Sequence, residues 1–263
     1  MKQLYYSLPQ YLKDTFGRKL YKVALETGMT CPNRDGKVAV GGCIFCGEGG
    51  SGDFAIYYEG KRLSREELIY NHQEIPKGDY IAYFQSFTNT YAPTSKLREI
   101  FTAALEDDLF AGISIATRPD CLGKDVLELL KELKEKYLNK FIWVELGLQT
   151  IHESTAKWMN RGYPLEVFDE AIKNLKAIHI EVIVHIIIGL PGEDQKMLLE
   201  TIQHLNACQI DGVKLQLLHY LKNTRLGVQY LSNPSQYHVL EMDEYVELVT
   251  ECIAHLDEHI VIH

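Results

Sequence analysis

Short apolar runs alternate with longer amphipathic segments along most of this chain. Six of the runs are rich in β-branched and aromatic residues, as is typical of strands: Tyr21–Leu25, Tyr80–Gln85, Gly112–Thr117, Phe141–Gly147, Glu181–Ile188 and Gly212–Leu218. Most are almost continuously apolar, which is expected of parallel strands covered on both faces. Six strand–helix units in series predict an α/β fold with a partial (β/α)6 TIM-like barrel. A doubly wound open sheet is the structural alternative.

The segments between the strands are typical of helices that pack one face on a sheet. Apolar residues recur at helical spacing after Lys124 and again from Phe168 to Ile178. Two further helices are predicted over Gln195–Cys208 and Met242–Leu256. With 263 residues and no linker-like composition, we expect a single domain over 1–263.

The composition excludes several classes of protein. No apolar run is long enough to cross a bilayer, and the amino terminus lacks the apolar core of a secretory signal. We therefore expect a cytoplasmic protein with no membrane partner. The net charge of −9 provides no overall attraction to nucleic acid, although a local basic surface is compatible with it.

Polar clusters follow the end of every predicted strand. The stretches are 31–46, 85–93 (QSFTNTYAP), 117–120 (TRPD), 146–150 (LGLQT), 189–193 (GLPGE) and 217–224 (LLHYLKNT). In parallel α/β folds the carboxyl ends of the strands meet at one rim, and functional residues collect there. The sequence therefore predicts one site built from these loops.

The most specific of these loops carries three cysteines, Cys31, Cys43 and Cys46, at C-x11-C-x2-C spacing. Three thiolates can hold an iron–sulfur cluster and leave one iron open to a small molecule. A zinc site needs a fourth ligand, for example His72, and a C-x-x-C redox pair is a third alternative. Cys121, Cys208 and Cys252 are isolated in the sequence, and we expect them to be buried thiols.

The motifs together resemble the radical S-adenosylmethionine (SAM) superfamily. The stretches that carry the resemblance are CPNRDGKVAVGGCIFC, QSFTNTYAP, ATRPDCL, ELGLQT, HIIIGLPGE and KLQLLHYLKNT. More closely, the chain resembles small bacterial proteins related to the Elongator catalytic subunit, which also have a widened first cysteine spacing. No acetyltransferase-like domain follows the motifs. Relatives of this kind usually continue further, so the resemblance implies a chain truncated at the carboxyl end.

The resemblance implies a [4Fe-4S] cluster on Cys31, Cys43 and Cys46, with SAM on the open iron. Reduction of SAM by the cluster would give methionine and a 5′-deoxyadenosyl radical. Ten positions match SAM-binding positions of the family: Phe45, Gln85, Ser86, Thr88, Arg118, Glu145, Gln149, Ile188, Gly189 and Leu190. A reductant such as flavodoxin or ferredoxin is the implied partner.

These positions also have simpler interpretations. Phe45 and the backbone of Ile188–Leu190 are expected near adenine, but GLPGE is also an ordinary strand-to-helix turn. Gln85, Ser86 and Thr88 are expected at the amino group of SAM, or as polar caps of a turn. Arg118 suits the SAM carboxylate or a salt bridge to Asp120. Glu145 and Gln149 suit the ribose hydroxyls.

Substrate contacts are less specified. Tyr91, His219 and Tyr220 follow strand ends and are candidate catalytic residues, whereas a hydrogen-bonded core position is favoured for His185. By analogy with Elongator-like enzymes, the expected substrate is tRNA, modified at the C5 substituent of the wobble uridine. A zinc-stabilised RNA-binding protein and a non-catalytic iron–sulfur sensor are the alternative functions.

Overall fold

The structure is a computed structural model, which describes residues 4–50, 54–61, 63 and 80–263. Its strands are β1 (Tyr21–Glu26), β2 (Ile56–Tyr57), β3 (Tyr80–Phe84), β4 (Phe110–Thr117), β5 (Phe141–Gln149), β6 (Glu181–Ile188), β7 (Gly212–Leu217) and β8 (Val261–Ile262). All pairs are parallel, in the order β2-β1-β3-β4-β5-β6-β7-β8. The sheet is a partial barrel with β2 and β8 at its edges.

Helices alternate with the strands along the chain; the first precedes β1 and packs at the amino ends of the strands, and most of the others cover the outer face of the sheet. They are α1 (Leu8–Phe16), α2 (Thr94–Glu106), α3 (Lys124–Lys136), α4 (Glu153–Trp158), α5 (Leu165–Ala177), α6 (Gln195–Ala207), α7 (Arg225–Ser232) and α8 (Met242–His255). Single 3-10 turns lie at Pro119–Cys121 and Pro234–Gln236. Among the described residues, no helix combines the length and apolar character needed to cross a membrane.

The six strands predicted from sequence are confirmed, with ends that differ by at most two residues. The α/β fold class and the partial barrel are confirmed as well. The edge strands β2 and β8 were not predicted, because each has only two residues and gives no periodic signal. Cys252 is buried as expected, whereas Cys121 and Cys208 are only partly buried.

The two faces of the sheet pack against different partners because strand side chains alternate in direction. Outward residues such as Phe84, Val144 and Val184 join the helices in the main core. Inward residues near the amino ends of the strands form a second cluster with α1: Leu12, Leu20, Ile81, Phe141, Trp143 and Ile183. Among the described residues, this apolar plug fills the bottom of the barrel, and the cavity above it opens towards the carboxyl ends of the strands.

Directly above the plug the barrel interior is polar. Six inward side chains from six strands form this inner polar layer: Lys22, Tyr83, Ser114, Glu145, His185 and Lys214. Five of them surround Glu145, which is almost fully buried. Buried polar groups are stable only when they bond one another, and the hydrogen bonds within this layer meet that requirement.

Gly17 ends helix α1 in the left-handed region, with φ at 70°, and its N–H donates to Lys13 O. No heavy atom lies within 4 Å of an added Cβ, so Gly17→Ala tests backbone strain alone. We expect a loss of about 1 kcal/mol in the free energy of unfolding, measured by urea denaturation. Gly17→Asn should cost less, because asparagine tolerates this conformation. Equal losses in both variants would contradict the strain explanation.

Candidate active site

A cavity of about 380 Å³ lies at the carboxyl ends of the strands and extends down to the inner polar layer. All three cysteines of the 31–46 loop line it. Seven other residues proposed from sequence also line it: Phe45, Gln85, Thr88, Arg118, Glu145, Gln149 and His219. The structure therefore brings the first loop and the ends of five further strands to one chamber.

The cysteine loop is held by hydrogen bonds to distant parts of the chain. Ile44 N donates to Met159 O at 3.0 Å, and Leu226 N donates to Ile44 O at 2.9 Å. Asn33 is fully buried, and its Nδ2 lies 2.5 Å from Asn160 O and 3.5 Å from Cys43 Sγ. These bonds fix the loop against the segment that follows α4 and against the start of α7.

Arg34 binds the carboxyl end of the same loop. Its guanidinium donates to Cys46 O at 3.2 Å, to Cys46 Sγ at 3.4 Å and to Gly47 O. It also lies 5.2 Å from the ring centroid of Phe87, a cation–π contact. Arg34 therefore ties the end of the loop together and provides a hydrogen-bond donor and a positive charge beside the sulfur of Cys46.

Gly50 allows Phe87 to approach the loop. Phe87 N donates to Gly50 O at 3.0 Å, and a Cβ added at Gly50 would lie 2.4 Å from the ring. A glycine is therefore required for this contact, which closes one side of the cavity.

The donor set fits a cluster better than a mononuclear zinc ion. Three thiolates are soft ligands that select zinc, copper(I) or iron–sulfur centres. A tetrahedral zinc–thiolate site needs sulfur atoms roughly 3.8 Å apart. The sulfur atoms of Cys31, Cys43 and Cys46 do not all lie within 4.8 Å of one another. This wider spacing suits a larger inorganic core. His72, the candidate fourth zinc ligand, lies outside the described residues.

Burial raises the pKa of Cys43 to about 11, while the nearby Arg118 opposes the shift. The Cys43 thiol is therefore protonated near neutral pH when it has no metal ligand, and metal binding must displace this proton.

Arg118 is paired within its own loop. Its Nε and Nη2 donate to the two carboxylate oxygens of Asp120 at 2.9 and 2.8 Å, and Nη1 donates to Arg161 O at 2.9 Å. Although burial alone would lower the pKa of Arg118, Asp120 raises it. Of the two interpretations of Arg118 given by the sequence, the structure contains the salt bridge to Asp120. A contact between Arg118 and the SAM carboxylate stays a prediction.

Gln149 ends β5 with φ at 68°, at a point where the pairing with β6 shifts register. A Cβ on Gly147 would lie 2.7 Å from the side-chain amide of Gln149. The glycine therefore lets this amide fold back over the strand end into the cavity.

Glu145 lies deeper inside the barrel than the residues at the carboxyl ends of the strands. Its Oε1 accepts from Lys22 Nζ at 2.7 Å and Ser114 Oγ at 2.6 Å; its Oε2 accepts from His185 Nε2 at 2.7 Å and Lys214 Nζ at 2.5 Å. Burial alone would raise the pKa of Glu145, but Lys22, His185 and Lys214 hold it well below its usual range. With four donors on two oxygens, Glu145 organises the chamber floor. Contact with ribose stays an untested prediction.

Six other proposed residues lie outside this cavity. Ser86 is buried, Ile188 faces the outer core, and Gly189 and Leu190 line a smaller cavity beside Leu240. Tyr91 lines a surface cavity near Cys121, and Tyr220 packs on Tyr230 and Tyr237. Ile187 faces the main cavity in place of Ile188, as strand alternation requires.

Sequence reasoning missed Arg34, Tyr83, Arg161 and Lys214, all of which line the cavity. Arg161 is almost fully buried and donates to Thr150 O at 2.6 Å, Leu148 O at 3.2 Å and Glu153 Oε1 at 2.9 Å. For Lys214 a signal existed, because a lysine within an apolar strand is unusual unless it faces a polar interior.

Family comparisons agree with the site. The model of the radical SAM superfamily matches residues 26–205, and that of the radical SAM C-terminal domain matches residues 210–263. The chain belongs to the radical SAM superfamily. Both matched parts contribute strands to one sheet. As a member, the chain is an enzyme whose cofactors are a [4Fe-4S] cluster and SAM.

Among relatives, an uncharacterized protein of Bacillus subtilis, YtqA, is 44% identical over 261 residues, which are 98% of this chain and 80% of that protein. Elongator complex protein 3 of Schizosaccharomyces pombe is 25% identical, covering 93% of this chain and 53% of that protein. A tRNA uridine(34) acetyltransferase of Methanocaldococcus jannaschii is 34% identical over 86 residues, which are 32% of this chain and 15% of that protein.

A solved structure has the same fold. The archaeal Elp3 of Methanocaldococcus infernus superimposes with a TM-score of 0.65 at 14% identity. The match covers 94% of this chain and 57% of the archaeal chain. The present chain thus corresponds to little more than half of that solved chain, and the likeness concerns the fold.

Arg34→Met tests the contact between the Arg34 guanidinium and Cys46. Loss of the donor to Cys46 Sγ removes a charge-assisted hydrogen bond from a proposed cluster ligand. We expect cluster retention under chelator challenge to fall roughly 10- to 100-fold, measured from iron and acid-labile sulfide over time. Lys37→Met, in the same loop, is the matched control and should retain its cluster. Equal retention in both variants would contradict this assignment.

Proposed function

We propose that this chain cleaves SAM reductively at a [4Fe-4S] cluster held by Cys31, Cys43 and Cys46, and that it acts on tRNA. The observation that carries the first part is the single chamber that the three cysteines share with strand-end polar residues. When bound, the cluster supplies the electron that splits SAM into methionine and a 5′-deoxyadenosyl radical.

The residues of the chain would orient and enclose this chemistry. Phe45, Gln85, Thr88 and Gln149 line the chamber between the cysteines and its floor, where SAM would lie. Ile44, Met159, Ile187, Leu190, Leu218 and Leu226 pack behind the loop as an apolar cluster. An apolar backing limits the access of water to a reactive intermediate. Arg118 fixes the loop after β4 through Asp120 and Arg161.

The tRNA part is supported by two relatives, Elongator complex protein 3 and the archaeal tRNA uridine(34) acetyltransferase. The name of the archaeal acetyltransferase specifies uridine 34, so we propose the C5 substituent of the wobble uridine as the position of attack. Flavodoxin or ferredoxin is proposed as the reductant, since radical SAM enzymes require one.

The first experiment is anaerobic reconstitution with iron and sulfide, followed by dithionite, SAM and chromatography for 5′-deoxyadenosine. About four iron atoms per chain and formation of 5′-deoxyadenosine are expected. A protein that binds only zinc would contradict the proposal and favour the RNA-binding alternative. A filled cluster with intact SAM would instead favour the sensor.

The substrate is tested in the same assay. Undermodified tRNA should accelerate formation of 5′-deoxyadenosine and gain a new mass at position 34, whereas a transcript with cytidine at that position should do neither. Equal rates with both RNAs would contradict the wobble-uridine assignment while leaving SAM cleavage intact.

A further inference from the structure

The inner polar layer has one more positive charge than its carboxylate can balance. Lys22 and Lys214 both donate to Glu145, at 2.7 and 2.5 Å. Burial lowers the pKa of His185, and it lowers the pKa of His263 to about 3, so both rings are neutral at pH 7. Two ammonium groups therefore share one carboxylate.

Among the described residues, no further carboxylate lies on the chamber floor, and the three cysteines, whose sulfur atoms would carry negative charge when they hold a cluster, lie in the loop at the rim. Glu145 is the one carboxylate among the described residues that line the cavity. Arg118 and Arg161, which also line it, are paired with Asp120 and Glu153 outside. A buried charge without a partner is costly, so an anion entering this space would be stabilised.

Lys214 is placed to meet such an anion. It lines the cavity, and its Nζ donates to Glu145 Oε2 and to Tyr83 Oη at 3.1 Å. An ammonium group has three N–H donors, and no acceptor for the third is found in the part of the chain that the structure describes. Glu145 and Tyr83 hold the ammonium in place, and its remaining donor is available to the cavity.

We propose that Lys214, positioned by Glu145 and Tyr83, forms an anion-binding subsite on the chamber floor for a carboxylate or phosphate group of the substrate. The proposal rests on the proposed function in taking the chamber as the place where the substrate reacts. Lys22, which donates to the other carboxylate oxygen of Glu145, supplies a second positive charge.

The charge on Lys214 should control this binding. Burial lowers the pKa of Lys214 to about 8, although Glu145 opposes the shift. The other ionisable groups of this layer are Tyr83 on β3 and Glu145 on β5, which bond Lys214 directly, and Lys22 on β1, His185 on β6 and His263 after β8, which lie around Glu145 and Lys22. Glu145 stays ionised and both histidines stay neutral above pH 7. Anion binding should therefore weaken as the pH rises from 7 to 9.

The test is an anion titration of the reconstituted protein, with acetate and inorganic phosphate as separate probes at constant ionic strength. The thermal unfolding midpoint is recorded at each concentration. We expect both wild type and the exposed-lysine control Lys173→Met to be stabilised by at least one probe. In Lys214→Met the half-saturating concentration should rise about tenfold or more. Identical curves for Lys214→Met and wild type would overturn the proposal.

Two further arms keep the result interpretable. If Lys214→Met does not fold, the acetate titration of wild type at pH 7 and pH 9 replaces it, and equal half-saturating concentrations at the two pH values overturn the proposal.

A titration in the presence of saturating SAM shows whether the subsite binds a group of the substrate or the carboxylate of SAM. Stabilisation by the probe that persists with SAM supports a substrate group, and its disappearance assigns the subsite to the SAM carboxylate and overturns the substrate assignment.

The failure of this proposal is distinct from that of the proposed function. Formation of 5′-deoxyadenosine is measured on the same wild-type preparation. Its absence contradicts SAM cleavage whatever the anion titration gives, whereas normal SAM cleavage with no role for Lys214 in anion binding contradicts the subsite alone.

Discussion

Replacing Cys43 by alanine is expected to abolish formation of 5′-deoxyadenosine and to leave the protein folded. In the proposed site each of the three cysteines binds one iron, and the fourth iron binds SAM. The iron that binds SAM has no protein ligand, and without Cys43 another of the four irons also has none, so the cluster is no longer retained. The fold should persist because the loop is held mainly by backbone bonds, such as Ile44 N to Met159 O at 3.0 Å.

The measurement combines iron content, acid-labile sulfide and 5′-deoxyadenosine after anaerobic reconstitution. Cys208→Ala is the matched control, because Cys208 is also partly buried but follows α6, away from the cavity. It should keep its cluster and its activity. Cys31→Ala and Cys46→Ala should behave like Cys43→Ala. Full cluster content in any of the three would contradict the proposed ligand set.

The fold was predictable because the signals were local and repeated. Each long strand, such as Phe141–Gln149 or Glu181–Ile188, is a mostly apolar segment of eight or nine residues that is covered on its outer face by helices. The rim was predictable for the same reason, since the carboxyl ends of parallel strands must lie together. The cysteine spacing predicts a metal centre at that rim, and the three cysteines do line the cavity there.

The floor of the chamber was not predictable, because its contacts join residues far apart in sequence. Lys22 and Glu145 are separated by 123 positions, and Lys214 and Glu145 by 69. The sequence singled out Glu145 as a candidate contact of ribose, but no local pattern identified the partners that surround it. The conformation of Gln149 was equally hidden, since it arises from a register shift between β5 and β6. Arg118, by contrast, pairs two residues away with Asp120, the alternative that the sequence offered.

Removing the carboxylate of Glu145 should destabilise the protein strongly. Glu145→Ala leaves the ammonium groups of Lys22 and Lys214 buried with no carboxylate partner in the inner polar layer. Breaking a buried ion pair in this way costs roughly 3–5 kcal/mol. For a chain of this size, we expect the thermal unfolding midpoint to fall by roughly 10 °C at pH 7. Glu145→Gln, which keeps an acceptor and the shape, should lose less.

The pH dependence separates this effect from a simple cavity. The folded-state pKa of Glu145 is lowered, so its contribution is present above the unfolded value and is lost as the pH falls. The stability difference between wild type and Glu145→Ala should therefore shrink below about pH 4. In the variant, the pKa of Lys214 should fall further below its unfolded value. Stability of the variant should then rise with pH from 7 to 10, more steeply than that of wild type.

A double variant completes the test of charge balance. Glu145→Gln removes one negative charge, and Lys214→Met in the same chain removes one positive charge from the same contact. If charge balance controls stability here, the double variant should be more stable than the sum of the two single losses predicts, by about 1 kcal/mol or more. Strictly additive losses, together with a flat pH profile for Glu145→Ala, would mean that packing alone sets the stability of the inner polar layer.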